Sequence, residues 1–280
     1  MTMKLIHDVS GTALVTNYSR ARLVNLSKDL YAHLWVTPES ILLSDELSHN
    51  VYPYDDINLG LRNRFFLDHI NKFASVNENS VIISIGAGFD NYPFLAKSDS
   101  HFIEIDLPNI INYKEHKIIE WIKDKKLPKR NIEFIAIDLN NQAQRLIMKE
   151  KLKTAIKDKP SFVLMEGLTY YLKSEILSEI FAILREIQNI GSLVTFDYWK
   201  PDALEYPVMR RLKDFLNNKF GSSGENWNLF DGLYIKSIEG YTEIESSDIA
   251  QLEMVYSETR VLQGDDNKIP GHYAVLQRVD

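Results

Sequence analysis

The chain has 280 residues, of which 45% are hydrophobic and 25% charged, a composition typical of a globular protein with a sizeable core. Its formal net charge of -7 argues against a protein whose main task is to bind nucleic-acid phosphates. The absence of cysteine excludes a disulfide framework, a thiolate nucleophile and a zinc–thiolate cluster, and it suits a reducing cytoplasm.

The N-terminal segment predicts neither export nor membrane insertion. Met1–Thr12 contains no apolar signal-peptide core, and no run of about 18 consecutive apolar residues occurs in the sequence. We therefore expect a soluble, cytoplasmic protein that works away from membranes.

The first part of the chain, residues 1–79, is predicted to form a helical cap. Helical patterns occur around Ala13–Leu34 and Leu61–Phe73, ahead of the first strand. A segment of this length is too long for a simple lead-in, so we expect it to lie over the functional site.

Residues 80–200 alternate apolar runs with longer helical patterns, which predicts an α/β fold with a mainly parallel sheet. Helices are predicted at Asn141–Asp158 and from Ser174, as the N-cap, towards Gly191. Five predicted strands, each rich in Ile, Val or Phe, outline a doubly wound core: Val81–Ile85, His101–Ile105, Glu133–Ile137, Phe162–Met165 and Leu193–Phe196.

After Trp199 this alternation breaks. Residues 201–241 are predicted to form a lid insertion, with a helix near Met209–Phe220, a Gly-Ser-Ser-Gly turn and an aromatic loop. In residues 242–280, the segments Ala250–Val261 and His272–Val279 alternate apolar and polar residues, which predicts antiparallel edge strands. We expect all four segments to belong to one domain.

A glycine-bearing turn follows the first predicted strand. Gly86 and Gly88 lack Cβ atoms, so the backbone there can approach a ligand closely. Asp106 follows the next strand, where a carboxylate can accept hydrogen bonds from ribose hydroxyls. Asn91 replaces the third glycine of a pyrophosphate-binding loop, which favours S-adenosyl-L-methionine, a ligand without phosphate, over NAD. The alternative function is that of an NAD-dependent oxidoreductase. The alternative role of the glycine-bearing turn is packing without a ligand.

Several motifs together resemble the leucine carboxyl methyltransferase and polyketide O-methyltransferase family of class I methyltransferases, over most of the chain. The resemblance implies a Rossmann-like fold with a mainly parallel seven-stranded sheet, S-adenosyl-L-methionine as the cofactor, and methyl transfer to oxygen. The motifs occur in the family's order: Ser10–Leu14, Leu61–Phe66, Gly86–Asp90, Glu104–Pro108, Ile137–Leu139 and Glu166–Leu172.

The resemblance also assigns the amino acid end of the cofactor. It implies that Arg62 pairs with the methionine carboxylate, that Gly86 and Gly88 pass under the amino acid part, and that Glu166 faces the amino group. These charges suit a zwitterion, which needs a cation for its carboxylate and an anion for its ammonium. On spacing alone Arg64 is an equal candidate to Arg62, and Glu166 alternatively ends a strand at the surface.

For the adenosine end, the resemblance implies that Asp106 holds the ribose and that Asp138 and Leu139 meet the adenine. Asp90 also matches a family motif, but it equally suits capping of the following helix. One departure is clear, because related chains often carry Thr-Arg after this aspartate, whereas Asn91 and Tyr92 follow it here. The role of that arginine is therefore not carried over.

We expect the methyl acceptor to be a small molecule with a carboxylate. A carboxylate is ionised near neutral pH and needs no general base, so no catalytic residue is identified. A phenol or alcohol acceptor would instead need a base in the cavity. Tyr171 is a candidate for substrate contact, with core packing as the alternative, and the lid aromatics Trp227, Phe230 and Tyr234 suit either an apolar acceptor or packing.

A protein C-terminal carboxylate remains an alternative acceptor, as does a protein-binding role without methyl transfer. No metal site is expected, and none of the seven histidines stands out as a base.

Overall fold

The computed structural model describes residues 10–221, 227–264 and 267–280. Most of the predicted N-terminal segment Met1–Thr12 and the centre of the predicted Gly-Ser-Ser-Gly turn therefore lie outside the described residues. Among the helices that are described, none has both the length and the apolar character needed to cross a membrane.

Seven strands form one sheet at the centre of the molecule. They are β1 (Val81–Ile85), β2 (His101–Asp106), β3 (Ile132–Ala136), β4 (Ser161–Met165), β5 (Leu193–Tyr198), β6 (Tyr241–Asp248) and β7 (His272–Arg278). The strand order is β3-β2-β1-β4-β5-β7-β6; β1 to β5 are parallel, and β7 runs antiparallel to both β5 and β6. The structure confirms the predicted mainly parallel sheet and places all five predicted strands within a residue or two of their predicted bounds.

Helices cover both faces of the sheet. They are α1 (Ser10–Arg22), α2 (Val24–Ser27), α3 (Pro38–Asn50), α4 (Asp55–Val76), α5 (Tyr92–Leu95), α6 (Pro108–Lys123), α7 (Gln142–Ile156), α8 (Ser174–Ile187), α9 (Pro207–Phe220), α10 (Gly232–Lys236) and α11 (Ile249–Tyr256). Short 3-10 segments occur at Ala32–Trp35, Thr169–Tyr171 and Pro201–Glu205. β1 and β4 are buried along their whole length, as strands covered on both faces must be.

The segment before β1 is helical, as predicted, but it contains one helix that the sequence pattern did not indicate. In α3 the buried face carries Ser40 and Ser44 beside Leu43 and Leu47. Because two buried positions are serines, the apolar residues do not recur at the spacing that identifies an amphipathic helix in a sequence. The helix start is well specified, since Thr37 accepts a hydrogen bond from the Ser40 amide in a capping box.

The prediction of an edge strand in Ala250–Val261 was wrong, because this segment begins with α11. Asp248 caps the helix by accepting from the Gln251 amide, and buried residues follow at a helical spacing of three to four. The strand that pairs with β7 is instead β6, which starts inside the predicted lid. Its Ile244 is exposed, so the strand lacks the usual apolar alternation.

The helix predicted from Ser174 is present, with small differences at both ends. Ser174 is the first helical residue, and Lys173 occupies the N-cap position without a side-chain bond. The helix ends at Ile187, and Gly191 lies beyond it in the turn that leads to β5, where its φ of +87° suits glycine.

Candidate active site

A cavity of about 550 Å³ lies at the carboxyl ends of β1 to β5. Its volume is in the range of small-molecule sites, and the strand order reverses here, between β1 and β4, as at ligand sites of other doubly wound sheets. Every residue that the sequence analysis assigned to the site lines this cavity: Arg62, Gly86, Gly88, Asp106, Asp138, Leu139, Glu166 and Tyr171.

The turn after β1 exposes backbone to the cavity. Gly86 and Gly88 have φ angles of +76° and +43°, which residues with a side chain rarely adopt. A Cβ atom on Gly86 would lie 3.0 Å from the Leu168 side chain, and one on Gly88 would lie 3.3 Å from Ala13. Both glycines are therefore required by the close packing of this turn.

Asp106, the last residue of β2, is joined to the glycine turn. Its Oδ2 atom accepts from the Gly88 amide at 2.7 Å, and its Oδ1 atom accepts from the Leu107 amide at 2.7 Å. Burial raises the pKa of the Asp106 carboxyl, although these two amide bonds oppose the increase. The carboxylate is thus held in one orientation at the cavity wall.

Asp138 and Leu139 follow β3 and line the same end of the cavity. The Asp138 carboxylate accepts from the backbone amide of Asn140 at 2.9 Å and from its side chain at 3.1 Å. Leu139 is buried, and its carbonyl accepts from Arg145 at 2.6 Å. The turn therefore presents a fixed acid beside an apolar surface.

The centre of the cavity holds a charged cluster around Glu166, which follows β4. Its Oε1 atom accepts from Arg62 Nε at 2.9 Å and also from Arg20 Nη2, while its Oε2 atom accepts from the hydroxyl of Tyr92. Burial alone would raise the pKa of the Glu166 carboxyl, but the two guanidinium groups outweigh it and hold this pKa below its usual value. Glu166 is therefore an ionised, fully hydrogen-bonded anion.

Asp197, near the end of β5, completes this cluster. Its Oδ1 atom accepts from the Gly167 amide at 2.6 Å, and its Oδ2 atom lies 3.5 Å from Arg62 Nη1. Burial raises the pKa of the Asp197 carboxyl to about 6, against the opposing effects of Arg62 and the Gly167 amide. Arg62 thus lies between two carboxylates, whereas Arg64 pairs with Asp68 outside the cavity lining.

A second buried cluster supports the glycine turn. Lys114 is fully buried in α6, with its Nζ atom 2.9 Å from Glu104 and 3.3 Å from Asp90. Asp90 also accepts from the Ser84 hydroxyl at 2.8 Å, so it bonds to this cluster rather than capping α5. Burial raises the pKa of the Glu104 carboxyl, although Lys114 opposes the shift.

The other end of the cavity is apolar. Its walls come from α3 and α9 and form what we call the apolar chamber, defined by Leu43, Leu47, Leu212, Phe215 and Leu216. These residues share one hydrophobic cluster with Tyr170 and Trp199, while Leu139 belongs to a different one. The chamber is therefore separate from the Asp138–Leu139 end.

The aromatic residues of the predicted lid pack into the core instead of lining the cavity. Phe230 stacks on Tyr198 with ring centroids 5.1 Å apart, and Trp227 packs edge-on against Trp199 at 4.7 Å. Tyr234 contacts Phe230, so all three side chains take part in packing. Tyr171 does line the cavity and packs at 4.8 Å against Tyr170.

The cavity residues that the sequence analysis missed include Asp197 of β5 and four polar residues of the helical cap: Arg20, Asn17, Asp55 and Asn58. Of these four, the first two lie in α1 and the last two in α4. Asp55, Asn58 and Arg62 are spaced three and four residues apart, which places them on one face of α4. This spacing is a signal that the sequence does contain. No histidine of the described ranges lines the cavity.

The sheet order and two solved structures give the chain the fold of class I S-adenosyl-L-methionine-dependent methyltransferases. A DUF574 family protein of Streptomyces avermitilis aligns with a TM-score of 0.65 and 14% identity, over 95% of this chain and 97% of that one. A Thermobifida fusca protein described as a methyltransferase aligns with a TM-score of 0.67 and 13% identity, over 96% and 94%. At such low identity the likeness shows the fold alone.

The family model for leucine carboxyl methyltransferases matches residues 4–185, more than half of the sequence. The chain therefore belongs to the leucine carboxyl methyltransferase family. A Frankia alni protein named as an S-adenosyl-L-methionine-dependent methyltransferase is 23% identical over 175 residues, which is 59% of this chain and 59% of that protein. The alignment thus spans less than two thirds of that relative. S-adenosyl-L-methionine is the cofactor of this class of protein.

Proposed function

We propose that this protein is an S-adenosyl-L-methionine-dependent O-methyltransferase that methylates a carboxylate of a small, largely apolar molecule. The observation that carries the proposal is the arrangement of Arg62, Glu166 and Asp106 along one cavity that continues into the apolar chamber. This arrangement offers separate partners for a carboxylate, an ammonium and a ribose.

The lining residues fit this cofactor by charge and by unmet hydrogen-bonding capacity. S-adenosyl-L-methionine carries a sulfonium, an ammonium and a carboxylate, and hence a net positive charge. Two guanidinium groups, Arg20 and Arg62, line the cavity with six acidic side chains, so the lining has an excess of negative charge: Asp55, Asp90, Asp106, Asp138, Glu166 and Asp197. This excess balances the cofactor.

A buried acceptor atom of Asn17 without a partner also supports the binding of this cofactor. The Asn17 amide group donates to the Ala13 carbonyl at 2.9 Å, yet its Oδ1 atom is buried and has no partner among the described residues. Asn17 lines the cavity beside Arg20. A buried acceptor of this kind is costly unless a donor reaches it, and the ammonium of the cofactor is such a donor.

When bound, the cofactor supplies an electrophilic methyl group on a positively charged sulfur. The chain's own residues provide binding and orientation. Asp106 would hold the ribose, and the cluster of Arg20, Arg62 and Glu166 would hold the amino acid end of the cofactor. Leu212 and Phe215 line the chamber with apolar surface and exclude water from the acceptor, which raises the reactivity of an anionic oxygen.

A carboxylate acceptor suits this site because it arrives already ionised. It needs no base, and the positive charge of a bound sulfonium would attract an anionic oxygen. The apolar walls of the chamber favour a small, largely apolar molecule over the C-terminus of a protein.

The experiment has two stages. Calorimetric titration of the purified protein with S-adenosyl-L-methionine should give a dissociation constant in the micromolar range, and no heat at millimolar ligand would end the proposal. Incubation of a cell extract with the protein and methyl-labelled cofactor should then label small molecules in a base-labile form, as methyl esters are. Label confined to a protein band would assign a protein acceptor, and base-stable label would exclude a carboxylate.

A further inference from the structure

The wall of the apolar chamber contains one polar pair, Asp55 and Asn58, in the first turns of α4. Asp55 is 6% exposed and Asn58 is 9% exposed, and both line the cavity. Arg211 of α9 donates to the carbonyl of Val51 at 2.8 Å, which ties the start of α4 to the helix that forms the chamber wall. The pair therefore lies at the chamber and away from the glycine turn.

One member of the pair, Asn58, has acceptor capacity that the described residues do not use. The Asn58 side chain hydrogen-bonds to the Asp55 carboxyl, but its Oδ1 atom is buried and lacks a partner within the described part of the chain. Buried acceptors without donors are costly, and they occur mostly where a ligand or a function requires them.

The helix end does not explain the burial of Asp55. A carboxylate in the first turn of a helix is stabilised by the positive end of the helix dipole. Asp56 already supplies such a carboxylate, and it pairs with Arg22 at 3.1 Å. Asp56 does not line the cavity. The burial of Asp55 opposes its ionisation and raises the pKa of its carboxyl to about 6. A costly acid retained in an apolar wall indicates a binding role.

Resting on the function proposed above, we propose that Asp55 and Asn58 bind a hydrogen-bond-donating group, a hydroxyl or an ammonium, of the methyl acceptor. Asp55 precedes Arg62 by seven residues, so the two positions are separated by roughly 10 Å along the helix. The acceptor is thus an amphiphilic molecule, with its carboxylate at the methyl group of the cofactor, a hydrogen-bond donor at Asp55 and Asn58 on the order of 10 Å away, and an apolar body between them.

The test uses three matched probes with an eight-carbon chain: octanoate, 8-hydroxyoctanoate and 8-aminooctanoate. Their affinities are measured by calorimetry on protein saturated with S-adenosylhomocysteine, the demethylated product of the cofactor. We expect the hydroxyl or the amino probe to bind about tenfold more tightly than octanoate, the value of one charge-assisted hydrogen bond. Preference for the hydroxyl identifies a neutral donor, and preference for the amine identifies a cationic one.

Asp55→Asn and Asn58→Leu should each reduce this preference, and the Asp55 substitution should affect the amine most. Asp56→Asn is the matched control, because Asp56 is the neighbouring acid outside the cavity, and it should keep the preference. Equal affinities of the three probes, no binding of any probe, or an equal loss in Asp56→Asn would overturn this inference. If the protein fails to bind S-adenosylhomocysteine, the proposed function fails, and the inference fails with it.

Discussion

Arg20 and Arg62 belong to different helices, yet both donate to the same oxygen atom, Oε1 of Glu166. Two like charges are brought together only because one buried anion lies between them, and Asp29 and Asp197 supply further negative charge on either side. Breaking a buried ion pair by removing one partner commonly costs about 3 to 5 kcal/mol. The cluster therefore couples the helical cap to the end of β4 and fixes the centre of the cavity.

The two arginines of the Leu61–Phe66 motif should differ sharply in function. Arg62→Ala should weaken binding of S-adenosyl-L-methionine by about 1.5 to 3 kcal/mol, because a charge-assisted contact is lost in a partly buried site. Arg64→Ala is the matched control, since Arg64 pairs with Asp68, packs over Tyr256 and does not line the cavity. The measurement is the affinity of each variant for S-adenosyl-L-methionine, determined by calorimetry after a check that each variant unfolds cooperatively. A larger loss in Arg64→Ala would reverse the assignment.

Asp106→Ala should weaken cofactor binding by roughly 1 to 3 kcal/mol, the loss expected when hydrogen bonds to a charged group are removed. The Gly88 amide also loses its acceptor, so the glycine turn should become less rigid. Asp124→Ala, on the surface beside Lys126, serves as the comparison and should leave affinity unchanged. Unaltered affinity in a folded Asp106→Ala protein would place the ribose elsewhere.

Lys114→Met should destabilise the protein by about 3 to 5 kcal/mol, because it leaves Asp90 and Glu104 buried together without a cation. Lys117→Met changes the same residue type in the same helix, but Lys117 forms a surface pair with Glu120. We expect that change to cost less than about 1 kcal/mol. Urea unfolding at pH 7 measures both, and similar midpoints for the two variants would contradict the buried network.

Asp55 should make the stability of the protein depend on pH. Burial raises the pKa of its carboxyl from 3.8 to about 6, so the folded state binds this proton more tightly than the unfolded chain. The protonated carboxyl therefore stabilises the folded state at low pH. As the pH rises from about 4 to above 6, the free energy of unfolding falls by about 3 kcal/mol.

Asp55→Asn removes that titration. The free energy of unfolding of the variant, measured in urea from pH 4 to pH 7.5, should therefore rise relative to the original protein across this range. Parallel stability curves for the two proteins would contradict the raised pKa. If the variant is more stable but binds the acceptor less well, Asp55 lowers the stability of the protein in order to bind the acceptor.

The five parallel strands were predictable because each is a short apolar run, buried on both faces, between turn residues and helices. Their order along the chain also placed Asp106, Asp138 and Glu166 near one another, since the carboxyl ends of parallel strands meet at one edge of the sheet. α3, α11 and β6 were missed or misassigned, because buried serines and an exposed isoleucine disguise their periods.

By itself, then, the sequence determined the five parallel strands and the residues that follow them, because periodicity and strand direction depend on residues that are consecutive in the chain. Only the tertiary structure decided that Arg62 rather than Arg64 lines the cavity, that Arg20 joins it at Glu166, and that Asp55 lies in the chamber wall. Those positions depend on how separate helices dock on the sheet. Helix docking is set by packing between residues far apart in the chain, which no local pattern records.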